Sequence, residues 1–152
     1  MLEQNSNERF IMADFTERYP DACSIKVTWG DMDALQHVNN VAYFRYFEDA
    51  RIEFFNREFP LTEMYRQGLG PVISENHASY RRPVVYPDTL LVGISCSEIG
   101  DDRFTLHYEV FSTQQQCVTT TGSSVAVMFD FKQGKKTPLP TDLRAILQRL
   151  QQ

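Results

Sequence analysis

The sequence predicts an α+β domain in which one antiparallel sheet wraps round a single long central helix. Three observations lead there. Residues 38–59 contain neither Gly nor Pro and are apolar round most of a helical circumference, so this helix belongs inside something. Later segments alternate apolar and polar residues with period two, as half-buried strands do. No strand–helix–strand unit repeats along the chain, so the strands fold back on one another rather than forming a parallel sheet.

Each element has its own signals. Cys23, Ile25, Val27 and Trp29 alternate with Ser24, Lys26 and Thr28, which gives a first strand; Gly30 breaks it, and residues 30–37 form a loop. In the long helix, Val41, Phe44, Phe47 or Glu48, Arg51 and Phe55 mark one side. Tyr43, Tyr46, Ala50 and Phe54 widen it. Asn39 or Asn40 supplies the N-cap, because an amide oxygen accepts from a free N–H one turn on. Pro60 ends the helix. Leu61 to Gly68 reads as a second, short helix. Val72 to Arg82 is extended, and strands follow around residues 90–96, 104–110 and 125–131. Turn signals at Tyr86-Pro87-Asp88, Gly100-Asp101-Asp102, Gln114 to Gln116 and Gln133-Gly134 separate them, which suggests four long strands in hairpin succession. Thr141 caps a short helix running to the end.

At 152 residues the chain is expected to form one domain over 13–152, after a flexible polar segment over 1–12 in which Met12 offers an alternative start. A hydrophobic content of 42% and a charged content of 23% are ordinary for a soluble globular protein. The net charge of -5 argues against a broad nucleic-acid-binding face. Cys23, Cys96 and Cys117 are scattered and odd in number, which points to a reducing compartment rather than a disulfide framework or a zinc site. No apolar run approaches the ~20 residues of a membrane span, and residues 1–9 lack a signal-peptide pattern. The expectation is a cytoplasmic protein without metal, membrane or nucleic-acid partner.

The richest stretch is Trp29-Gly30-Asp31-Met32-Asp33-Ala34-Leu35-Gln36-His37-Val38-Asn39-Asn40. It crowds two carboxylates, an imidazole and two amides in front of the long helix. Backbone N–H groups at a helix N-terminus have no helical partner, and the dipole adds roughly half a positive charge there. Such a place suits an anion or a developing oxyanion. A plainer reading stands beside it: Asp33 bonded to its own loop, and Asn39 and Asn40 acting only as caps.

Trp29-Gly30-Asp31-Met32-Asp33 with His37-Val38-Asn39-Asn40, then Tyr43 and Glu48-Asp49-Ala50-Arg51, resembles the signature of the 4-hydroxybenzoyl-CoA thioesterase family of hot-dog proteins. The likeness runs from about Ser24 to Asp130 and takes in Tyr80, Pro83, Asp88, Leu90 and Gly122. It implies a hot-dog fold, a homodimer or homotetramer with sites at the dimer interface, and hydrolysis of an acyl- or aryl-CoA, or of an acyl group on a carrier protein, with no cofactor. Asp33 matches the family's nucleophile or general base, and the Asn40 N–H matches its oxyanion donor. The His-Val-Asn-Asn run is also similar to plant acyl-carrier-protein thioesterases, which place a functional His where this chain has His37. Those enzymes carry Asn where this chain has Leu35.

The other candidates follow from chemistry. His37 sits four residues after Asp33 and shares its site if the loop folds back. Asp31 shapes the loop. Glu48 and Arg51, spaced i and i+3, pair on the helix; the resemblance makes Glu48 a reserve carboxylate, since other hot-dog branches carry their catalytic carboxylate on this helix. Tyr43 lines an acyl pocket or packs the core. Arg81 and Arg82 are candidates for the CoA phosphates, as are Arg103, Lys132, Lys135 and Lys136. His77 and His107 stand alone, without metal-ligand spacing, and Cys96 and Cys117 read as buried fillers. Two competing readings remain. One is a non-catalytic acyl-CoA sensor. The other is a hot-dog dehydratase, against which the absence of a His-Phe-Pro-Gly-type loop counts.

Overall fold

The computed structural model describes residues 11–151. In chain order it contains helix α1, whose described part covers residues 11–18, strand β1 (Cys23–Lys26), a 3-10 turn (Trp29–Asp31), helices α2 (Ala42–Glu58) and α3 (Leu61–Arg66), strands β2 (Leu69–Tyr80), β3 (Thr89–Ser97), β4 (Arg103–Ser112), β5 (Cys117–Asp130) and β6 (Lys135–Lys136), and helix α4 (Thr141–Arg149). The class is the expected one: α+β, with a curled antiparallel sheet packed on one long helix.

The sheet order is β1-β3-β4-β5-β2, every pair antiparallel, with β6 added to the end of β5. Only β3, β4 and β5 are in hairpin succession. β2 pairs with β5, not with β3, so the chain crosses the sheet between Tyr80 and Thr89. β2 is therefore an edge strand of 12 residues. Period-two patterning assigns a face to each residue, but it does not choose a partner strand.

α2 lies across the inner face of the sheet. It buries Tyr43, Tyr46, Phe47, Ala50, Phe54 and Phe55, whereas Val41, expected on the inward side, is exposed. Phe47 is fully buried and stacks flat on Tyr108, with ring centroids 4.4 Å apart. The helix can come that close because residue 122 is Gly. A Cβ there would stand 2.4 Å from the Phe47 ring and 2.8 Å from the His77 carbonyl oxygen. Burying aromatic rings of this size is the largest contribution to such a core.

Several boundaries differ from the sequence reading. β1 stops at Lys26, and Trp29 is exposed in the 3-10 turn rather than facing inward. α2 begins at Ala42, not Val38, because residues 38–41 form a bridge and a turn. β2 starts at Leu69, and β5 reaches back to Cys117. Thr141 is the first helical residue of α4, with no side-chain cap, and the helix ends at Arg149.

Of the segment expected to be flexible, residues 1–10 lie outside the described residues, while Ile11 and Met12 are helical. α1 covers part of the outer face of the sheet, where Phe15 and Tyr19 pack with Phe111 and, at the margin, Met12, Leu91 and Val118. The Tyr19 ring lies over Gly93, and Arg18 pairs with Glu109. Cys23 and Cys96 are buried, with burial pushing their thiols up to about 12 and about 11; Cys117 is only partly buried. No described helix is long and apolar enough to cross a membrane.

Candidate active site

Two loops meet at the N-terminal end of α2 and enclose an open cleft of about 390 Å³. The first carries the polar motif. Met32 and Val38 form an antiparallel bridge, so the five residues between them make a tight turn. The Asp33 N–H donates to the His37 carbonyl at 2.9 Å, and the Gln36 N–H donates back to the Asp33 carbonyl at 2.9 Å. Gln36 takes a φ of 63°, the left-handed conformation that closes the turn. The loop does fold back, and this places Asp33 and His37 on one wall.

The second loop follows β2. The Arg81 and Arg82 N–H groups both donate to the Thr119 carbonyl, at 2.8 and 3.1 Å. The Gln115 side chain donates to the Pro83 carbonyl at 2.8 Å. Buried Asp88 accepts from the Ser112 hydroxyl and from the Gln114 N–H, which ties this connection to the β4–β5 turn. One bond joins the loops directly: the Val38 N–H donates to the carbonyl of fully buried Val84 at 2.8 Å. The two walls are thus fixed to each other as well as to the sheet.

The cleft is lined by Asp33, His37, Asn40, Tyr43, Arg81 and Arg82, together with Val38, Tyr80 and Pro83. All six residues proposed from sequence as catalytic or substrate-binding therefore gather round one opening. The other cationic candidates do not line it. Arg103 bonds to neighbouring Asp102, the Lys132 stem lies over Gly68, and Lys135 and Lys136 form β6. Glu48 also stands elsewhere, beside Arg51 in a separate cavity.

Asp31 and Asp33, two positions apart, have different surroundings. One Asp31 carboxylate oxygen accepts from the Thr28 N–H at 3.1 Å and from the Tyr46 hydroxyl at 2.8 Å. Burial works to raise the Asp31 carboxyl, but these hydrogen bonds outweigh it and hold the group below the usual carboxylate range. Asp31 shapes the loop, as expected. Asp33 uses Oδ1 to accept from the Leu35 N–H at 2.9 Å, the local turn bond that Asp commonly makes. Its Oδ2 accepts from none of the described residues, and Asp33 itself is exposed and lines the cleft.

Main-chain groups supply the complement. The expected asparagine cap is not found: Val41 is the N-cap and has no side-chain cap bond, and Asn39 only accepts from the Val41 N–H at 3.0 Å in a local turn ahead of the helix. The Asn40 N–H donates to none of the described residues. Its carbonyl accepts the Tyr80 hydroxyl at 2.8 Å, which fixes the orientation of that residue. Tyr80 in turn meets Tyr43 edge-on, with centroids 5.1 Å apart. Burial raises both phenols, so both are neutral donors near pH 7. Tyr80 belonged to the family-like pattern, but sequence reasoning gave it no part in the site. The signal available was its parity in β2, shared with Ala78 and Asn76. The His37 side chain makes no hydrogen bond to Asp33.

Chemically, the cleft offers a carboxylate with a free oxygen, an unpaired main-chain donor at the positive end of a 17-residue helix, an imidazole and two guanidinium groups. This set can attack, or activate water against, an electrophilic carbonyl and hold the resulting oxyanion.

A curled antiparallel sheet packed on one long helix is the hot-dog architecture, and here the polar cleft sits at that helix's N-terminal end. A solved Aquifex aeolicus structure superimposes on it with a TM-score of 0.76 at 28% identity, covering 83% of this chain and 98% of that one. The chain belongs to the thioesterase-like superfamily, whose family model matches residues 27–147. The long-chain acyl-CoA thioesterase FadM of Escherichia coli is 25% identical over 126 residues, which is 83% of this chain and 96% of FadM. A 1,4-dihydroxy-2-naphthoyl-CoA thioesterase from Synechocystis, 18% identical, shares the fold with a TM-score of 0.77 over 85% of this chain and 96% of its own.

Proposed function

We propose that this protein hydrolyses the thioester of an acyl- or aryl-CoA to the free acid and CoA. The observation that carries the reading is the pairing of Asp33 and Asn40: an open carboxylate oxygen and an unbonded N–H beside one cleft, in a chain of the thioesterase-like superfamily. A thiolate is a good leaving group, so the reaction needs little acid assistance. Asp33 either activates a water that attacks the carbonyl or attacks it directly, the Asn40 N–H holds the oxyanion, and the C–S bond breaks with the sulfur leaving as thiol or thiolate; after direct attack, water then hydrolyses the Asp33 anhydride to release the acid. His37 serves as a neighbouring acid/base or positioning group. Arg81 and Arg82 meet the phosphates of the CoA arm at the mouth, and Tyr43 lines the acyl side. The free edge of β2 and the exposed apolar groups around the cleft (Trp29, Leu35, Val41, Val85 and Tyr86) support assembly with a second copy.

The test is free-thiol release from short, medium, long and aromatic acyl-CoAs, for wild type and Asp33→Asn. We expect turnover of at least one class, and a loss of about 10²–10⁴-fold in kcat for the variant at unchanged Tm. Acyl-CoA that binds tightly and persists unhydrolysed would put the sensor reading first. Full activity in Asp33→Asn would transfer the catalytic role to His37.

A further inference from the structure

A second cavity lies along α2 from the cleft. It has a volume of about 210 Å³, and its walls include Phe55, Leu61, Ile73, Phe104, Leu106 and Ala126. That is smaller than the ~300–1,000 Å³ of a site for a whole ligand, but it suits one end of a longer one. Into this apolar space comes one cation. The Arg51 side chain is only 13% exposed, yet its contacts among the described residues are loose: Tyr108 Oη at 3.4 Å and Glu48, itself 56% exposed, at 3.7 Å.

Arg51 has donors to spare. A guanidinium carries five N–H groups, and no Arg51 nitrogen is among the buried atoms that lack a partner, so its unbonded donors reach the accessible space of the cavity. Tyr108 meets Arg51 through one long contact only, and its own proton goes to Ser124 Oγ at 3.0 Å, with Ser124 donating onward to Asn76 Oδ1 at 2.6 Å. This relay is closed at its far end on the edge strand. Arg51 lines a cavity whose other polar side chains among the described residues are Glu48 and Tyr65, and it makes no hydrogen bond shorter than 3.4 Å to either of them.

The two cavities share one seam, between α2 and β2. Tyr43 and Tyr80 stand at the cleft end. Half-buried Phe44, Ala78 and Ile73 lie along its apolar margin. Arg51 lies eleven residues beyond Asn40, roughly 16 Å at the helical rise. A fully extended chain covers that distance in about 14 bonds.

Resting on the thioesterase reading above, we propose that Arg51 selects the far end of the acyl group. The substrate class is then a long acyl chain whose distal end carries an oxygen acceptor, a carboxylate or a hydroxyl. The thioester sits at Asn40, the methylenes follow the seam, and the terminal oxygen takes the unused donors of Arg51. A carboxylate matches the planar fork in two parallel bonds, whereas a hydroxyl fills only one.

The experiment compares three CoA thioesters of equal length, tetradecanoyl, 14-hydroxytetradecanoyl and 13-carboxytridecanoyl, with wild type, Arg51→Lys and Arg51→Met. We expect wild type to favour an oxygen-ended chain at least tenfold in kcat/KM. A larger preference for the carboxyl identifies an acid as the natural end, and a larger one for the hydroxyl identifies an alcohol. Arg51→Lys keeps part of the preference, and Arg51→Met loses it through KM. Equal or better use of plain tetradecanoyl-CoA by wild type overturns the inference while leaving the thioesterase reading intact. Since Arg51→Met can fail to fold, wild-type Tm is also measured with free tetradecanedioic and tetradecanoic acids. Stabilisation by the diacid alone, with no thioester hydrolysed, would keep the Arg51 site and discard the hydrolase. No difference between the two acids would discard the site.

Discussion

The first turn of α2 and its middle are built in opposite ways. Around residues 39–43 the chain is held by a few polar bonds, Tyr43 alone is buried, and one main-chain donor is left open. From Tyr46 to Phe55 the helix is held by stacked aromatic rings against a glycine-floored sheet. The first stretch contributes little to holding the fold and carries the groups that can react. The second carries the stability. Placing a site at a helix end makes this division possible, because the free N–H groups exist there whether or not the side chains contribute.

Variants can break that division or sharpen it. The largest effect on folding is expected from Phe47→Ala, which empties the space beneath Tyr108. It should cost about 3–5 kcal/mol in denaturant unfolding and lower activity only through loss of folded protein. Tyr80→Phe reverses the pattern. It frees the Asn40 carbonyl at an exposed site, so stability should hardly move, while kcat falls about tenfold with KM little changed, as for a weakened oxyanion donor. If KM rises and kcat stays, Tyr80 binds substrate instead of orienting Asn40. Asn39→Ala removes the exposed turn bond to Val41 and should cost ~1 kcal/mol or less in chemical denaturation, with activity reduced because the same turn carries the open donor.

The smallest effect concerns pH. The Asp31 carboxyl lies below its ordinary value in the folded state, so its stabilising bonds are fully present above the unfolded-state value near pH ~3.9. They are lost as the pH falls through the lower folded-state value. Asp31→Asn should therefore be less stable than wild type at neutral pH by ~1 kcal/mol, with the two Tm curves converging in acid. A gap that persists at low pH would mean that Asn disturbs the loop itself.

Much of this was legible in the sequence. The length and apolarity of α2, the phases of β3 and β4 and the crowding of Asp33, His37 and Asn40 all follow from local pattern. What pattern could not supply was long-range choice. The pairing of β2 with β5 and the Val38–Val84 bond depend on segments far apart in the chain. Trp29 continued the β1 alternation, but Asp31 drew Thr28 and Tyr46 to itself and turned the chain there. α1 had a visible signal: Met12, Phe15 and Tyr19 recur at helical spacing, but a polar N-terminal stretch concealed it. Arg51 was readable as an ion-pairing residue and not as a donor with unused capacity, since that depends on what the neighbouring elements leave unfilled.

The pairing of Tyr19 with Gly93 has a practical consequence for anyone who trims this protein. The family match spans 27–147, but the packing extends beyond it on both sides. A chain cut to those limits loses α1, which shields Phe111 and Leu91, and all of β1, which covers the edge of β3. It also loses residues 150 and 151, whose backbone meets Cys96 on the same strand. Such a fragment would keep every residue of the cleft and still present bare apolar sheet to water. Its expected fate is self-association, readable by light scattering. The limits of the family match and the limits of the packed sheet do not coincide in this molecule.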